Sequence, residues 1–525
     1  MNILNSILAQ AKNNPHSAAI IQLNKTDDGN YKETVLYDYG TLIDEAGQLG
    51  CLLSQRTANK AYIGIVMGNT PEWVLADLAL LLAERVEVPV PLSFSSDQAE
   101  HLLQNCNIVL TDDIGAARLA EWQINGLKLM GKTLPIACGQ TPVPKQILQP
   151  IFQQQFQNDS VIKIIHTSGT TSHPKGVKIR RKGLDALITA LWQCVQCNDY
   201  RRYLNLVPLS LLIEQVTALY MPLTSGGAII LPPREMPPLG SPGVTAEERL
   251  EIIKQSRSSA LTLTPALVEA LAKRAHDEYS NESNLPLALF GRKTVPLLAV
   301  GGAPVANEIL MKLDRLGIPV YQGYGLSENS SVATWNSRNA NRIGTVGKPL
   351  SHVEVKIAED GELCLRSTSL FAGYSNEDPS SCTIDEEGWL HTGDLATQDN
   401  DGFVSIIGRK KNIIITANGR NISPEWLESA YRSIPGVLEV IVYGDKQQFL
   451  GGIFVIEDIS KARLIRQSIA AFACQHLNEI EHITEPILVA HDRETMAHLF
   501  TVTGRPKRNA ITSFLNNLNR KAISE

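Results

Sequence analysis

Short β-branched runs alternate with amphipathic or apolar helical patterns from the N-terminal part of the chain to about Arg409, and this alternation restricts the fold more than any other feature. Residues 61–67 (Ala-Tyr-Ile-Gly-Ile-Val-Met) read as a strand, and residues 71–82 as a helix with Pro71 in its permitted first turn. Residues 161–165 and 228–231 read as further buried strands. Residues 297–300 form another, ending at Gly301-Gly302 before a helix over about 306–316. The pattern predicts an α/β fold of parallel sheets with crossover helices, in which ligands bind off the carboxyl ends of strands.

Past Arg409 the order changes. Ile413-Ile414-Ile415 and a turn at Asn418-Gly419 precede a helix from Pro424, strands over 437–443 and 452–456, and a helix over 461–475. That is the order of a small α+β unit. With 525 residues the chain exceeds what one hydrophobic core usually supports. We therefore expect a large N-terminal domain, 1–409, and a small mobile C-terminal domain, 410–525, with the boundary at Arg409–Lys411.

A composition of 43% hydrophobic and 19% charged residues is that of a globular protein. A formal charge of −6 provides no net basic field for a nucleic-acid backbone, so no nucleic-acid partner is expected. The first residues lack a basic leader, and Ile3, Leu4, Ile7, Leu8 and Ala11 fall on one helix face. No apolar run is long enough for a transmembrane segment. These features read as a soluble, cytoplasmic protein. The 8 cysteines are scattered, as expected of buried, reduced thiols, and Cys194-x-x-Cys197 sits in an apolar periodic segment that reads as core packing rather than a metal site.

The segment that carries the most chemistry is His166-Thr167-Ser168-Gly169-Thr170-Thr171-Ser172-His173-Pro174-Lys175-Gly176, directly after a predicted strand. Hydroxyls, glycines and a lysine at this density suit a polyphosphate: glycine lets backbone amides approach, hydroxyls donate to oxygens, and lysine supplies counter-charge. The Gly-Lys-Ser/Thr step of a Walker loop is missing. On composition alone such a run is more often a plain turn.

The order of the segments that follow separates the two. Gly301-Gly302-Ala303-Pro304 comes next, then Tyr321-Gln322-Gly323-Tyr324-Gly325-Leu326-Ser327-Glu328, then Gly361-Glu362-Leu363 with Gly373-Tyr374. Gly388-Trp389-Leu390-His391-Thr392-Gly393-Asp394-Leu395 and Gly408-Arg409-Lys410-Lys411-Asn412 complete the set. Together with 166–176 these motifs resemble, in order, those of the adenylate-forming (AMP-binding) superfamily, and most closely the long-chain fatty acyl-CoA synthetases and acyl-AMP ligases. The resemblance implies an AMP-forming acid–thiol ligase using ATP, Mg2+ and coenzyme A or the phosphopantetheine of a separate acyl carrier protein. It implies that Thr167, Ser168, Gly169, Thr170, Thr171 and Lys175 hold the β- and γ-phosphates. Gly302, Ala303, Pro304 and the Tyr324-Gly325 pair would form the adenine slot, Tyr324 by stacking. Ser327 would meet the α-phosphate and Glu328 the metal ion. Asp394 and Arg409 would bind the ribose, and Lys411 would be the hinge. Gly419 would line the pantetheine tunnel. Taken singly, the plain readings win, Asp394 as a loop carboxylate, Glu328 as a solvated helix start and Tyr324 as core; within the ordered set they do not.

Pro208-Leu209-Ser210-Leu211-Leu212-Ile213-Glu214-Gln215 stands at the acyl-pocket motif. It is apolar where amino-acid-activating members place an aspartate, and it has Leu211 where many fatty-acid ligases place a histidine. The expected substrate is a small-molecule carboxylic acid, fatty or otherwise apolar, with Glu214 pairing inside its helix. Two departures stand out. Ser172 replaces a glycine of the phosphate loop, and Arg505 occupies the position of the catalytic lysine. Arg505, Lys507 and Arg508 are the cations of that motif, and the compact ammonium favours Lys507 as the catalytic group beside Lys175 and Glu328. The alternatives are a nucleotide- or acyl-binding protein with lost or weakened adenylation, and an adenylation enzyme for an amino or aryl acid that loads a carrier protein.

Overall fold

The computed structural model describes residues 1–129, 132–138, 159–167, 175–237, 239, 243–279, 284–375, 384–500 and 506–524. The chain forms two compact units. One comprises Met1–Gly302, Leu313–Val355 and Leu365–Leu390; the other comprises Ala303–Lys312, Lys356–Cys364 and His391–Glu525.

The first unit contains two large sheets. A 6-stranded sheet runs in the order Lys132–Pro135, Ile108–Thr111, Tyr62–Val66, Val86–Pro89, Val161–Thr167, Lys175–Arg180. Its strands are parallel except for the last, which returns antiparallel with Thr167 opposite Lys175. A 9-stranded sheet has a parallel centre, in which Ala228–Leu231, Arg202–Leu204, Ala260–Leu263, Leu297–Val300 and Val320–Leu326 are successive neighbours. Ala228–Leu231 is buried at every position and Leu297–Val300 at all but Ala299, so these two strands are continuous apolar runs rather than alternating ones. The expected strands and the 71–82 helix all form, and every residue of Pro71–Leu82 is buried. A helix that is apolar all round belongs inside.

Inside this unit lies a charge cluster that apolar patterning conceals. The Lys163 ammonium, fully buried, is hydrogen-bonded to both Asp77 and Glu87. Tyr220 donates 2.9 Å to Asp77, and Gln215 donates 2.9 Å to Glu87. Burial pushes the Glu87 carboxyl up to about 8 even beside Lys163. A lone buried charge would be costly; the mutual pairing and the bonds from Tyr220 and Gln215 offset part of that cost.

The N-terminal helix Ile3–Asn13 is capped by Asn2 and buries Ile3, Leu4 and Ile7, as its periodicity predicts. The cysteine expectation needs correction. Cys106 and Cys364 are buried, but Cys197 and Cys474 are exposed. The helix Arg181–Cys194 ends at Cys194, so Cys197 lies in the turn beyond it, where helical periodicity no longer applies.

In the second unit, Val437–Tyr443, Leu450–Ile456 and Ile483–Ala490 form a 3-stranded sheet. One face packs with the helices Pro424–Arg432 and Ala462–His476 through Leu427, Tyr431, Phe454, Ile465 and Ile469. The other buries Ile441, Ile453 and Val455 against Leu499, Phe500 and Ile511. Among the described residues, no helix is long and apolar enough to cross a membrane.

Candidate active site

The strand Val161–Thr167 leads into the hydroxyl-rich segment, and Lys175 opens the return strand. Ser168, Gly169, Thr170 and Thr171 lie outside the described residues, as does the side chain of Thr167. The Lys175 ammonium sits 5.0 Å from the centroid of the Tyr374 ring, within range of cation–π attraction. Tyr374 in turn donates its hydroxyl hydrogen to Glu328 at 2.9 Å. Backbone contacts fix this arrangement: Val177 bridges Tyr374, the Ser375 amide donates to the Gly176 carbonyl at 2.8 Å, and the Phe371 amide donates to the Glu328 carbonyl at 2.9 Å. A Cβ on Gly176 would stand 2.2 Å from the Ser375 hydroxyl, so that crossing requires glycine. Lys175, Glu328 and Tyr374 are thus brought together. The role of Tyr374 was not assigned from sequence, where it stood only as part of a motif.

Tyr324 and Gly325 close the strand Val320–Leu326, and Ser327 and Glu328 follow in the 3₁₀ turn Ser327–Asn329. Tyr324 is half-buried, not a core residue. Ser330 and Ser331 then take φ values of 54 and 105, left-handed for residues that carry a Cβ. The Ser330 hydroxyl, which donates 2.7 Å to the Ser369 carbonyl, helps hold that conformation. Strained backbone of this kind clusters at functional sites. Gly302, at φ 82, is also left-handed, a conformation that favours glycine. Ala303 and Pro304 belong to the second unit, where the Pro304 carbonyl accepts from Ser429 at 3.4 Å.

In the second unit Asp394 and Arg409 are cross-strand partners, and the Arg409 Nε donates 2.7 Å to the Asp394 carboxylate. Asp394 is buried and accepts from a half-exposed guanidinium. Glu362 organises the turn before it: its carboxylate accepts from the Gly393 amide at 2.8 Å and from Lys410 at 3.1 Å. Gly393, Arg409, Lys410 and Lys411 line an open depression of about 280 Å³. Lys507 is described and half-buried, whereas Arg505 lies outside the described residues.

The 208–215 segment is held by Asn69, which donates to the Val207 carbonyl at 2.7 Å and accepts from the Leu209 amide at 3.0 Å. Glu214 is fully buried, and its partners come mainly from outside its own helix. Asn205 donates at 2.6 Å, Tyr203 at 3.1 Å and Thr217 at 3.4 Å. Burial pushes its carboxyl up to about 8 despite those donors, so it is neutral at pH 7 and offers little counter-charge to a substrate ammonium. A π-helical turn, Gln215–Tyr220, follows it, a geometry frequent at functional sites.

The fold is that of the adenylate-forming enzymes. It matches the anthranilate CoA ligase AuaEII in complex with anthranoyl-AMP at a TM-score of 0.77, 19% identity and coverage of 98% of this chain and 97% of that one. It also matches the O-succinylbenzoate coenzyme A synthetase MenE of Bacillus subtilis in complex with ATP and magnesium ion at 0.70, with 20% identity over 96% and 98% of the two chains. Residues 7–375 match the AMP-binding enzyme family, and the chain belongs to that family. Among its curated relatives, the long-chain-fatty-acid–CoA ligase FadD15 of Mycobacterium bovis is 28% identical over 435 residues, 74% of this chain and 71% of that one. The long-chain-fatty-acid–CoA ligase ACSBG2 of Gallus gallus is 27% identical over 455 residues, 74% of this chain and 59% of that one.

Proposed function

We propose that the chain activates a fatty or other apolar carboxylic acid with ATP as its acyl-adenylate. The acyl group then passes to a pantetheine thiol, of coenzyme A or of a separate acyl carrier protein. The coarser statement, an AMP-forming acid–thiol ligase of the acyl-CoA synthetase type, stands on the family match and on the named relatives. The observation that carries the ATP-dependent step is the placing of Lys175 and Glu328 against one tyrosine, Tyr374, while the apolar acid is read from Leu211, Leu212 and Ile213 and from the buried Glu214. A cation and a carboxylate at that spacing suit a polyphosphate with its divalent ion.

A carboxylate oxygen attacks the α-phosphorus and pyrophosphate leaves, so negative charge grows on the leaving group. Lys175 offsets it at the β- and γ-phosphates together with the 167–171 backbone and hydroxyls. Glu328 suits Mg2+, which takes one or two protein carboxylates and completes its shell with phosphate oxygens and water. When bound, that ion neutralises charge on the phosphate oxygens. Ser327 would contact the α-phosphate, Tyr324 would stack on adenine with Gly302, Ala303 and Pro304 shaping the slot, and Asp394 would accept from the ribose hydroxyls beside Arg409. Lys507 would supply the mobile cation of the adenylation step.

For the second step the domain 410–525 would turn about Lys411. Two flanking anchors support that pivot. Lys410 bonds Asp360 at 2.5 Å and Glu362 at 3.1 Å, and Asn412 donates 2.7 Å to Glu425. Lys411 lies between them. Gly419, at φ 70 with open space where its Cβ would be, suits passage of a pantetheine arm.

Pyrophosphate release with a panel of saturated fatty, aryl and amino acids tests the substrate class. Fatty acids should exceed every amino acid, with turnover rising as the chain lengthens until the pocket is filled, at about 0.8 kcal/mol per buried methylene. A clear preference for an amino acid would overturn the reading, because the neutral Glu214 would then have to ionise.

A further inference from the structure

Three cations stand in the C-terminal motif, and one of them, Arg508, is held by two carboxylates and a carbonyl. Arg508 begins the 3₁₀ turn Arg508–Ala510, immediately after Lys507. Its two terminal nitrogens donate to the two oxygens of Glu428 at 2.9 Å each, a bidentate fork. One also reaches the Val442 carbonyl at 3.2 Å, and the other reaches Glu425 at 3.3 Å. Glu428 is buried on the helix Pro424–Arg432 and accepts in addition from the Val442 amide at 2.9 Å. Glu425 is shared: the oxygen that meets Arg508 also accepts from Asn412, in the 3₁₀ turn Lys410–Asn412. A chain of charge-assisted bonds therefore joins the residue after Lys507 to the residue after Lys411.

A guanidinium held by a buried carboxylate and a carbonyl is not available to travel to a substrate. We propose that Arg508 is a positioning residue, whose fork on Glu428 clamps the segment bearing Lys507 to the helix 424–432, while Glu425 ties that same clamp to the hinge turn through Asn412. Hinge and cation-bearing segment then move as one piece, and the direction in which Lys507 is presented is set by Arg508. A lysine at 508 cannot reproduce the fork, because an ammonium offers no planar pair of donors. This assignment rests on the adenylation reaction proposed above.

The test uses the full chain and the variants Arg508→Lys and Glu428→Gln, the second keeping the shape of the acceptor while removing its charge. ATP–pyrophosphate exchange, thioester formation from supplied acyl-adenylate, the melting temperature and amide hydrogen exchange over 507–510 are measured together. Both variants should lower the exchange kcat on the order of 10–100-fold, the scale of a ~1 Å misplacement. The KM for ATP and the thioester step should stay within about twofold, since neither group touches nucleotide or thiol. Amides 507–510 should exchange faster while those of the first unit are unchanged. Retained exchange kcat in Arg508→Lys overturns the proposal alone. Equal losses in both half-reactions with a lowered melting temperature also overturn it, since they mark a purely structural ion pair. A wild-type chain that exchanges pyrophosphate with no acid would instead sink the adenylation reading, and this assignment with it.

Discussion

Tyr374 donates its hydroxyl hydrogen to Glu328 across 2.9 Å while its ring lies 5.0 Å beneath the Lys175 ammonium. One side chain thus orients both groups assigned to the phosphates and their metal ion. Tyr374→Phe keeps the ring and removes the hydroxyl. It should lower adenylation about tenfold, the effect of losing one hydrogen bond to a charged group, and raise the Mg2+ concentration needed for half-maximal rate. Tyr374→Leu removes the ring as well and should additionally raise the KM for ATP. Titrating pyrophosphate exchange against Mg2+ and ATP separates the two. An unchanged Mg2+ dependence in the phenylalanine variant would show that the hydroxyl does not orient Glu328.

Glu328 and Asp394 should fail in different ways. Glu328→Gln removes the proposed metal ligand and should reduce adenylation on the order of 100-fold with ATP binding largely intact. Asp394→Ala removes the proposed ribose acceptor and leaves Arg409 without its 2.7 Å partner, so the KM for ATP should rise on the order of tenfold. Isothermal titration with ATP beside exchange kinetics checks both. Wild-type exchange in the two variants together would refute the site assignment.

The elements of the fold were legible wherever burial imposes a pattern. Residues 228–231 and 297–300 are continuous apolar runs, and 161–165 is one broken only by the buried Lys163, because parallel strands are covered on both faces, and the structure has a strand at each. Pro424–Arg432 and Val437–Tyr443 were legible for the same reason in the second unit. Contacts between side chains distant in sequence were not. Tyr374 and Glu328 are 46 residues apart on irregular segments, and nothing periodic connects them. Lys163, Asp77 and Glu87 sit in apolar runs where isolated charges would be expected to be exposed, and only their mutual pairing makes burial possible. Glu214 was expected to pair inside its helix, yet Asn205 and Tyr203 reach it from outside that helix. A usable signal existed for Ser330-Ser331: two small polar residues directly after a motif often mark a turn.

Glu214 also makes stability depend on pH with a definite sign. Burial raises its carboxyl from 4.5 to about 8 in the folded chain. The folded state therefore holds a proton that the unfolded chain releases above about pH 4.5. Its contribution is complete below the unfolded value and is lost as pH rises toward the folded one. Glu214→Gln mimics the neutral acid and does not titrate. The wild-type melting temperature should fall more steeply between pH 5.5 and 8 than that of the variant, at about 1.4 kcal/mol for each unit of the window. Parallel melting curves over that window would show that Glu214 ionises freely in the folded chain.

The identity of the adenylating cation remains the sharpest test of the proposed reaction. With Arg508 held by Glu428 at 2.9 Å, Arg505 and Lys507 are the two cations of the motif left for the role. Arg505 holds the position of the family's lysine, but its planar guanidinium needs a wider approach than an ammonium. Lys507 has the compact head group. Its amide donates 2.7 Å to the Leu499 carbonyl, and Pro506 bridges Phe500, so its backbone is fixed by the second unit's core. Lys507→Ala should reduce acyl-adenylate formation on the order of 100-fold or more. Thioester formation from supplied acyl-adenylate should persist, because in the proposed reaction the domain would turn this segment away before the thiol attacks. Arg505→Ala should affect the first assay far less. If Arg505→Ala alone abolishes adenylation, position outweighs head group and the guanidinium is the reacting cation. If neither substitution changes the first assay, Lys175 and the metal ion offset the developing charge without a cation from this motif.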